Sequence, residues 1–228
     1  MLVEVSNVLG SFPYDVISLQ SEGASSPCFL LLHFIADAIN RNAILVLVTS
    51  SRSERAYRIL ASKAMVRLTD NIRFVSLGEL FTDELDTADD TSFLNRLHEA
   101  ILSKIDNQSD EAFVMFDNLS LLCDVMRDPS SLVTFLRQLQ ISVHAKEIHP
   151  KLILTLQSTC DVSTLVLHKS DFVLKTKPIG SGFAKDVTGQ LTIIPQANQE
   201  TASTTILHYH LGDRSVHIFP PGLARPNL

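Results

Sequence analysis

The 228-residue chain has no tryptophan, and only 19% of its residues are charged. A soluble domain ordinarily carries about 25%. This one has too little charge to keep its whole surface in water, so part of that surface is expected to be covered. Apolar residues make up 45% of the chain, which excludes disorder, because disordered chains are highly charged and poor in apolar side chains. Positive charge is short as well. The net charge of −6 excludes a freestanding nucleic-acid binder held by bulk positive charge. Cysteines number three, Cys28, Cys123 and Cys160. Odd in number and far apart, they fit neither a disulfide framework nor paired zinc ligands, and are read as reduced, buried and intracellular. Long apolar runs are missing too. The most apolar, Cys28–Ile39, is interrupted by His33 and Asp37 and falls well short of the ~20 residues that cross a bilayer. Met1-Leu2-Val3-Glu4 puts no basic region ahead of an apolar stretch, so no secretory signal is expected.

What is present is an alternation of two periods. Tyr14–Leu19 reads as a strand and Gly23–Ser26 as a loop. Pro27–Arg41 follows as a helix, with Ser26 as N-cap and Pro27 at its first position. Ala43–Thr49 is apolar on both faces, the mark of a buried strand. Ser53–Arg67 reads as helix and Ile72–Ser76 as strand. Leu94, Leu97, Ile101 and Ile105 step by three and four, predicting a helix over about 91–105. Ala112–Phe116 and Leu152–Leu156 are further buried strands. Between them Asp128 and Pro129 open a helix whose core face is Leu132, Phe135, Leu136, Leu139 and Val143. Alternating buried strands and helices imply a parallel sheet between helical layers. From Asp171 the pattern changes. Phe172–Thr176, Gln190–Ile194, Ile206–Leu211 and Ser215–Phe219 are strands joined without helices, so an antiparallel extension is expected. The predicted architecture is one α/β domain over 1–228, a parallel core over 1–170 and an antiparallel extension over 171–228.

Charge is unevenly spread. Residues 1–40 hold four acids and no Lys or Arg, 41–76 seven bases and two acids, and 77–124 two bases and twelve acids. Thr82–Asp90 alone has five acids in nine residues, read as a solvated, mobile loop.

A strand, a glycine loop and a helix are where a nucleotide-binding α/β domain holds phosphate. The motif is G-x-x-x-x-G-K-[ST], whose amides cradle phosphates, whose Lys reaches the terminal phosphates and whose hydroxyl holds Mg²⁺. Counted from Gly23, the second glycine, the lysine and the hydroxyl positions are Cys28, Phe29 and Leu30. Only the degenerate loop of Gly23, Ser25 and Ser26 survives. The first basic residue of the chain is Arg41, on the order of 20 Å along the following helix, so no neighbour in sequence replaces the lysine. Phe113-Val114-Met115-Phe116-Asp117 has the form of a Walker B strand ending in a metal-shell acid. Without the lysine, Asp117 reads as an ordinary strand-end acid, and Gln157 as a satisfied strand-end amide. The hydrolase elbow G-x-S-x-G is excluded at Gly23-Ala24-Ser25-Ser26-Pro27 because Pro27 replaces its second glycine. No bound cofactor is expected.

The order of parts resembles the RecA-type ATPase core: degenerate phosphate loop, Walker-B-like strand, strand ending in Gln, antiparallel tail. Ile179–Leu191, with its Gly-Phe…Asp-Val-x-Gly-Gln-Leu pattern, resembles the sixth subunit of the Elongator complex. So do Glu4–Leu9 and Asp213–Phe219 followed by Gly222-Leu223. The resemblance is dense only at the two ends of the chain. It implies a RecA-like fold without catalytic motifs, a subunit that alternates with the fourth and fifth Elongator subunits in a hetero-hexameric ring. That ring binds transfer RNA and, with the remaining subunits, supports modification of wobble uridine at carbon 5. Location would be cytoplasmic and also nuclear, with no membrane partner. Head-to-tail closure needs two covered faces per subunit, which accounts for the shortage of charge. The alternative is a degenerate recombinase or KaiC-like regulator that binds nucleotide or DNA.

Three groups of side chains remain. By analogy with RecA-like rings, the loops 118–128 and 158–170 would face a central pore, making Arg127, His168 and Lys169 the candidate RNA contacts. Arg52, Arg55, Arg58, Lys63 and Arg67 form a basic helix, read first as facing solvent or an acidic neighbour. A two-residue turn at Gly212-Asp213 would set His208 opposite His217 and His210 opposite Ser215. His208, His210 and His217 would then share a sheet face within zinc-binding reach, though without a fixed fourth ligand. A solvated sheet face is the favoured reading, and no metal site is expected.

Overall fold

The structure, a computed structural model, describes residues 2–10, 15–50, 52–80, 89–106, 109–159, 162–179, 187–196 and 203–222. Cys160, most of the acidic run and Gly180–Asp186 lie outside the described residues. In chain order the elements are α1 (Val3–Leu9), β1 (Val16–Ser21), α2 (Cys28–Asn40), β2 (Ile44–Thr49), α3 (Glu54–Lys63) and β3 (Ile72–Ser76). There follow α4 (Leu77–Leu80), α5 (Asp90–Ser103), β4 (Glu111–Asp117), α6 (Leu119–Val125), α7 (Ser131–His144), β5 (His149–Gln157) and α8 (Ser163–Lys169). The last four are β6 (Phe172–Lys177), β7 (Gly189–Pro195), β8 (Thr205–Leu211) and β9 (Val216–Phe219).

All nine strands join one sheet in the order β3-β2-β4-β5-β1-β6-β7-β8-β9. From β3 to β6 every pairing is parallel, and from β6 to β9 every pairing is antiparallel. The expectation placed Phe172–Thr176 in the antiparallel tail. Instead β6 runs parallel to β1, because α8 carries the chain back across the sheet first. A seven-residue helix has too few turns to declare itself by period, and α1, α4, α6 and α8 were all missed for that reason.

Alternation divides the buried strands between two cores. Ile44, Val46 and Val48 pack with α5, α6, α7 and α8, while Leu45 and Leu47 pack with α1, α2 and α3. The predicted face of α7 is buried in full, from Leu132 to Val143. Its start is two residues later than read. Asp128 sits ahead of it, accepting from the Ser130 amide at 3.1 Å and hydroxyl at 2.6 Å. Likewise α2 begins at Cys28 with Pro27 as N-cap, and Ser26 Oγ accepts weakly from the Cys28 amide at 3.4 Å. α3 ends at Lys63 because Met65 takes a positive φ of 60°, four residues short of Arg67. Of the acidic run, Asp89 caps α5 by accepting from the Ser92 amide at 2.8 Å, and Asp90 accepts from the Arg127 and Asp128 amides. Those two acids are structural rather than loosely solvated. Among the described residues no helix is long and apolar enough to cross a membrane.

The two chain ends that carry the resemblance meet in space. Glu4 of α1 lies 2.9 Å from His217 Nδ1 and accepts from the Ile218 amide of β9 at 2.8 Å. It thereby satisfies an amide on the sheet's last strand, which would otherwise invite another chain to pair. Alongside, Ser6 Oγ lies 3.4 Å from Nδ1 of buried His33. Burial holds the His33 imidazole below its ordinary value, partly opposed by Asp37. The unfolded chain therefore binds this proton more readily than the folded one. The stability it carries is present above about pH 6.5 and lost as pH falls below that. We expect the thermal midpoint to drop between pH 7 and 5 and the slope to flatten in His33→Gln. Some slope should remain, because burial lowers His98 in the same direction. Midpoints read by circular dichroism across that range check this.

Candidate functional site

In open α/β sheets ligands bind outside the carboxyl ends of the parallel strands. Here β1, β2, β4 and β5 end there at Ser21, Thr49, Asp117 and Gln157. The loop after β1 is tied back to β6. Gly23 takes a positive φ of 55°, which glycine adopts without steric cost. The Glu22 amide donates to the Thr176 carbonyl at 2.9 Å. The Ser25 hydroxyl lies 2.8 Å from the carbonyls of both Glu22 and Thr176. Ser25 is thus engaged with protein rather than offered to a phosphate.

The positions that would carry lysine and hydroxyl face inward. Phe29 stacks on Tyr209 with ring centroids 5.0 Å apart, and Leu30 is fully buried. Cys28, in the second-glycine position, is half-buried. Burial pushes its thiol up, Arg52 opposing and Asp117 assisting, so it is a poor nucleophile at neutral pH.

A cation does reach the site, from just ahead of the helix expected to be basic. Arg52, between β2 and α3, sets its guanidinium 3.2 Å from both carboxylate oxygens of Asp117. The Asp117 side chain is 5% exposed and that of Arg52 is 34% exposed. The Ser50 hydroxyl donates to the Asp117 carbonyl. Tyr57 of α3 is buried beside the pair, and its phenol is pushed upward by burial first and by Asp117 second. Arg52 is no neighbour of that loop in sequence; parallel topology sets the β2–α3 loop beside the end of β4, and Arg52 pairs with the acid rather than standing in for the lysine. Arg52 is accordingly not part of an outward basic helix, whereas Arg55, Arg58, Lys63 and Arg67 are exposed, Arg58 pairing with Glu54 at 2.6 Å.

The remaining wall is braced by backbone contacts. Asn118 takes a positive φ of 76° and donates its amide to Thr155 Oγ1 at 2.9 Å. The Gln157 amide donates to Ser120 Oγ at 2.8 Å, while its side chain is exposed at the rim. The cavity enclosed by these elements is about 150 Å³, against roughly 300–1,000 Å³ for ordinary ligand pockets. Its residues do not suit Mg²⁺, because the carboxylate that would serve the metal shell already faces a guanidinium.

The other candidate residues are not gathered at this site. Segments 118–128 and 158–170 are largely the helices α6 and α8 rather than loops. Arg127 is exposed beside the start of α5. His168 and Lys169 close α8 at the opposite sheet end, where Lys169 and Val16 line one cavity. The β8–β9 turn is centred one residue later than expected, on Asp213 and Arg214, with the Gly212 amide bonded to the Ser215 carbonyl at 2.9 Å. His210 therefore opposes His217, and His208 opposes Phe219, a shift of two residues from the expected register. His217 is engaged by Glu4. Among the described residues no group of three His, Cys, Asp or Glu side chains is placed to hold a metal ion.

No family model matches the sequence. The chain is 22% identical to Elongator complex protein 6 of Mus musculus over 262 aligned residues, covering 98% of each protein. It is 34% identical to Elongator complex protein 6 of Rattus norvegicus over 65 residues, 27% of this chain and 24% of that one. Among solved structures, the flagellar accessory protein FlaH of Methanocaldococcus jannaschii superposes with a TM-score of 0.67 at 12% identity, over 94% of each chain. A KaiC-like protein from Pyrococcus horikoshii superposes with a TM-score of 0.61 at 12% identity, over 93% of each. The fold is RecA-like, and the end-to-end similarity agrees with the resemblance carried by the chain's two ends.

Proposed function

We propose that this chain, similar along its length to Elongator complex protein 6, is a non-catalytic RecA-like subunit of an Elongator-type complex. Its partners are then the fourth and fifth subunits, with which it closes a hetero-hexameric ring, and through them the remaining Elongator subunits. Binding of transfer RNA belongs to the assembled ring, which supports modification of wobble uridine at carbon 5 in the cytoplasm and also the nucleus.

The observation that supports the non-catalytic reading most strongly is the Arg52–Asp117 pair. An NTPase uses its strand-end acid in the Mg²⁺ shell and its loop lysine on the terminal phosphates. Here the acid is neutralised within the protein and the lysine position is a buried Phe29. Binding Mg-nucleotide would require breaking a largely buried ion pair before any phosphate contact formed.

The test combines nucleotide and RNA measurements. The chain alone is expected to give neither ATP turnover nor a thermal shift with Mg-ATP. Transfer RNA should bind tightly only after the partner subunits are added. Tight binding of nucleotide or single-stranded DNA by the isolated chain would instead favour a KaiC-like regulator.

A further inference from the structure

A second cavity, also about 150 Å³, lies under the gap between α7 and α8. Its cause is a mismatch of lengths. α7 has 14 residues and α8 only 7, about 21 Å against 10 Å of helix. The nine residues of β5 extend about 30 Å, so the shorter helix leaves part of the strand uncovered. Leu152 and Leu154 form the floor, Val133 and Leu136 one wall, and Val166 the other. Arg137 and Lys169 line the same cavity and are exposed, so they stand at its mouth. Among the described residues neither has an ion-pair or hydrogen-bond partner.

A hollow of roughly 150 Å³ with an apolar floor and walls is large enough for a benzene-sized group. Two cations lining such a hole, without partners among the described residues, in a chain of net charge −6, select an occupant that is apolar at its centre and anionic around it. We infer that this cavity is a docking pocket for a protein partner presenting one phenylalanine- or leucine-sized side chain flanked by carboxylates. A nucleic acid would use the cations but has no group for the hole, since bases stack on open faces. A fatty acid would exceed the hole after a few methylenes. The arrangement has the form of an interface hot spot, a buried anchor within a charged rim. It lies at the sheet end away from Asp117 and stands independently of the function proposed above.

The probe is the peptide acetyl-Glu-Asp-Phe-Glu-Asp-amide, titrated into the full chain carrying ¹³C-methyl Leu and Val. Saturable shifts are expected at Val133, Leu136, Leu152, Leu154 and Val166. Affinity should fall at least tenfold when serine replaces the peptide's phenylalanine. It should fall at least as much in the Arg137→Glu/Lys169→Glu double variant, whose changes are exposed and leave the core intact. Absence of saturable shifts at these methyls overturns the proposal. So does binding that the double variant leaves unchanged, and so does saturation by benzoate where the peptide fails, which would make this a small-molecule site.

Discussion

Replacing Arg52 with alanine is expected to lower stability by about 2 kcal/mol, whereas Asp117→Asn should cost about half as much. Removing one member of a buried pair costs about 3–5 kcal/mol because the other charge is stranded. The figure is discounted here because Arg52 is 34% exposed and water already screens it. The asymmetry comes from burial. Without Arg52, a carboxylate that is 5% exposed loses its cation, whereas without the Asp117 charge the guanidinium can turn to solvent. For a chain of this size about 2 kcal/mol corresponds to roughly 4–8 °C in the thermal midpoint.

A double variant separates this from mere loss of packing. Adding Asp117→Asn to Arg52→Ala removes the carboxylate charge that has lost its cation, so the double variant should be no less stable than Arg52→Ala alone. Fully additive costs, or equal costs for the two single substitutions, would mean the pair does not carry the charge balance of this site.

Gly189→Ala is expected to be the more damaging change, at about 3 kcal/mol or roughly 6–12 °C. An added Cβ would lie 2.5 Å from Tyr209 Oη and 2.7 Å from the Lys177 carbonyl oxygen. The first neighbour is a buried ring packed on Phe29, and the second is backbone. Neither can retreat cheaply, so the cost falls at the upper end for overpacking. Trimming the ring in a Tyr209→Leu background should recover only part of the loss, because the carbonyl clash remains. Gly78→Ala serves as control, since its Cβ would meet only Ser76 Oγ at 3.8 Å. Chemical denaturation of wild type, the three single variants and the double variant reads all of this. Gly189 lies in the Asp-Val-x-Gly-Gln-Leu pattern that resembles Elongator's sixth subunit. Its role there is close packing of β7 on β8, with Thr188 Oγ1 accepting from the Leu211 amide at 2.9 Å.

The buried strands were legible because β2, β4 and β5 are apolar on both faces, a pattern that little else in a chain of this length imitates. The absent lysine was legible for a similar reason, since a motif of fixed spacing either holds or fails. Arg52 was not. Its meeting with Asp117 spans 65 positions and depends on β2 lying beside β4, an adjacency that no local period encodes. The parallel sense of β6 was hidden behind α8, whose two turns are too short to show a stripe. The hairpin register failed on turn position alone. A turn centred one residue later, on Asp213 and Arg214, moved every pair by two, which kept His208, His210 and His217 on one face while changing each partner.

Whether this RecA-like chain works as a non-catalytic member of an Elongator-type assembly is decided by native mass spectrometry of the protein after gentle affinity isolation from its own cells. The expected result is a complex in which this chain and the fourth and fifth Elongator subunits occur in equal numbers. A stable monomer, or a ring of this chain alone that hydrolyses ATP, would contradict it.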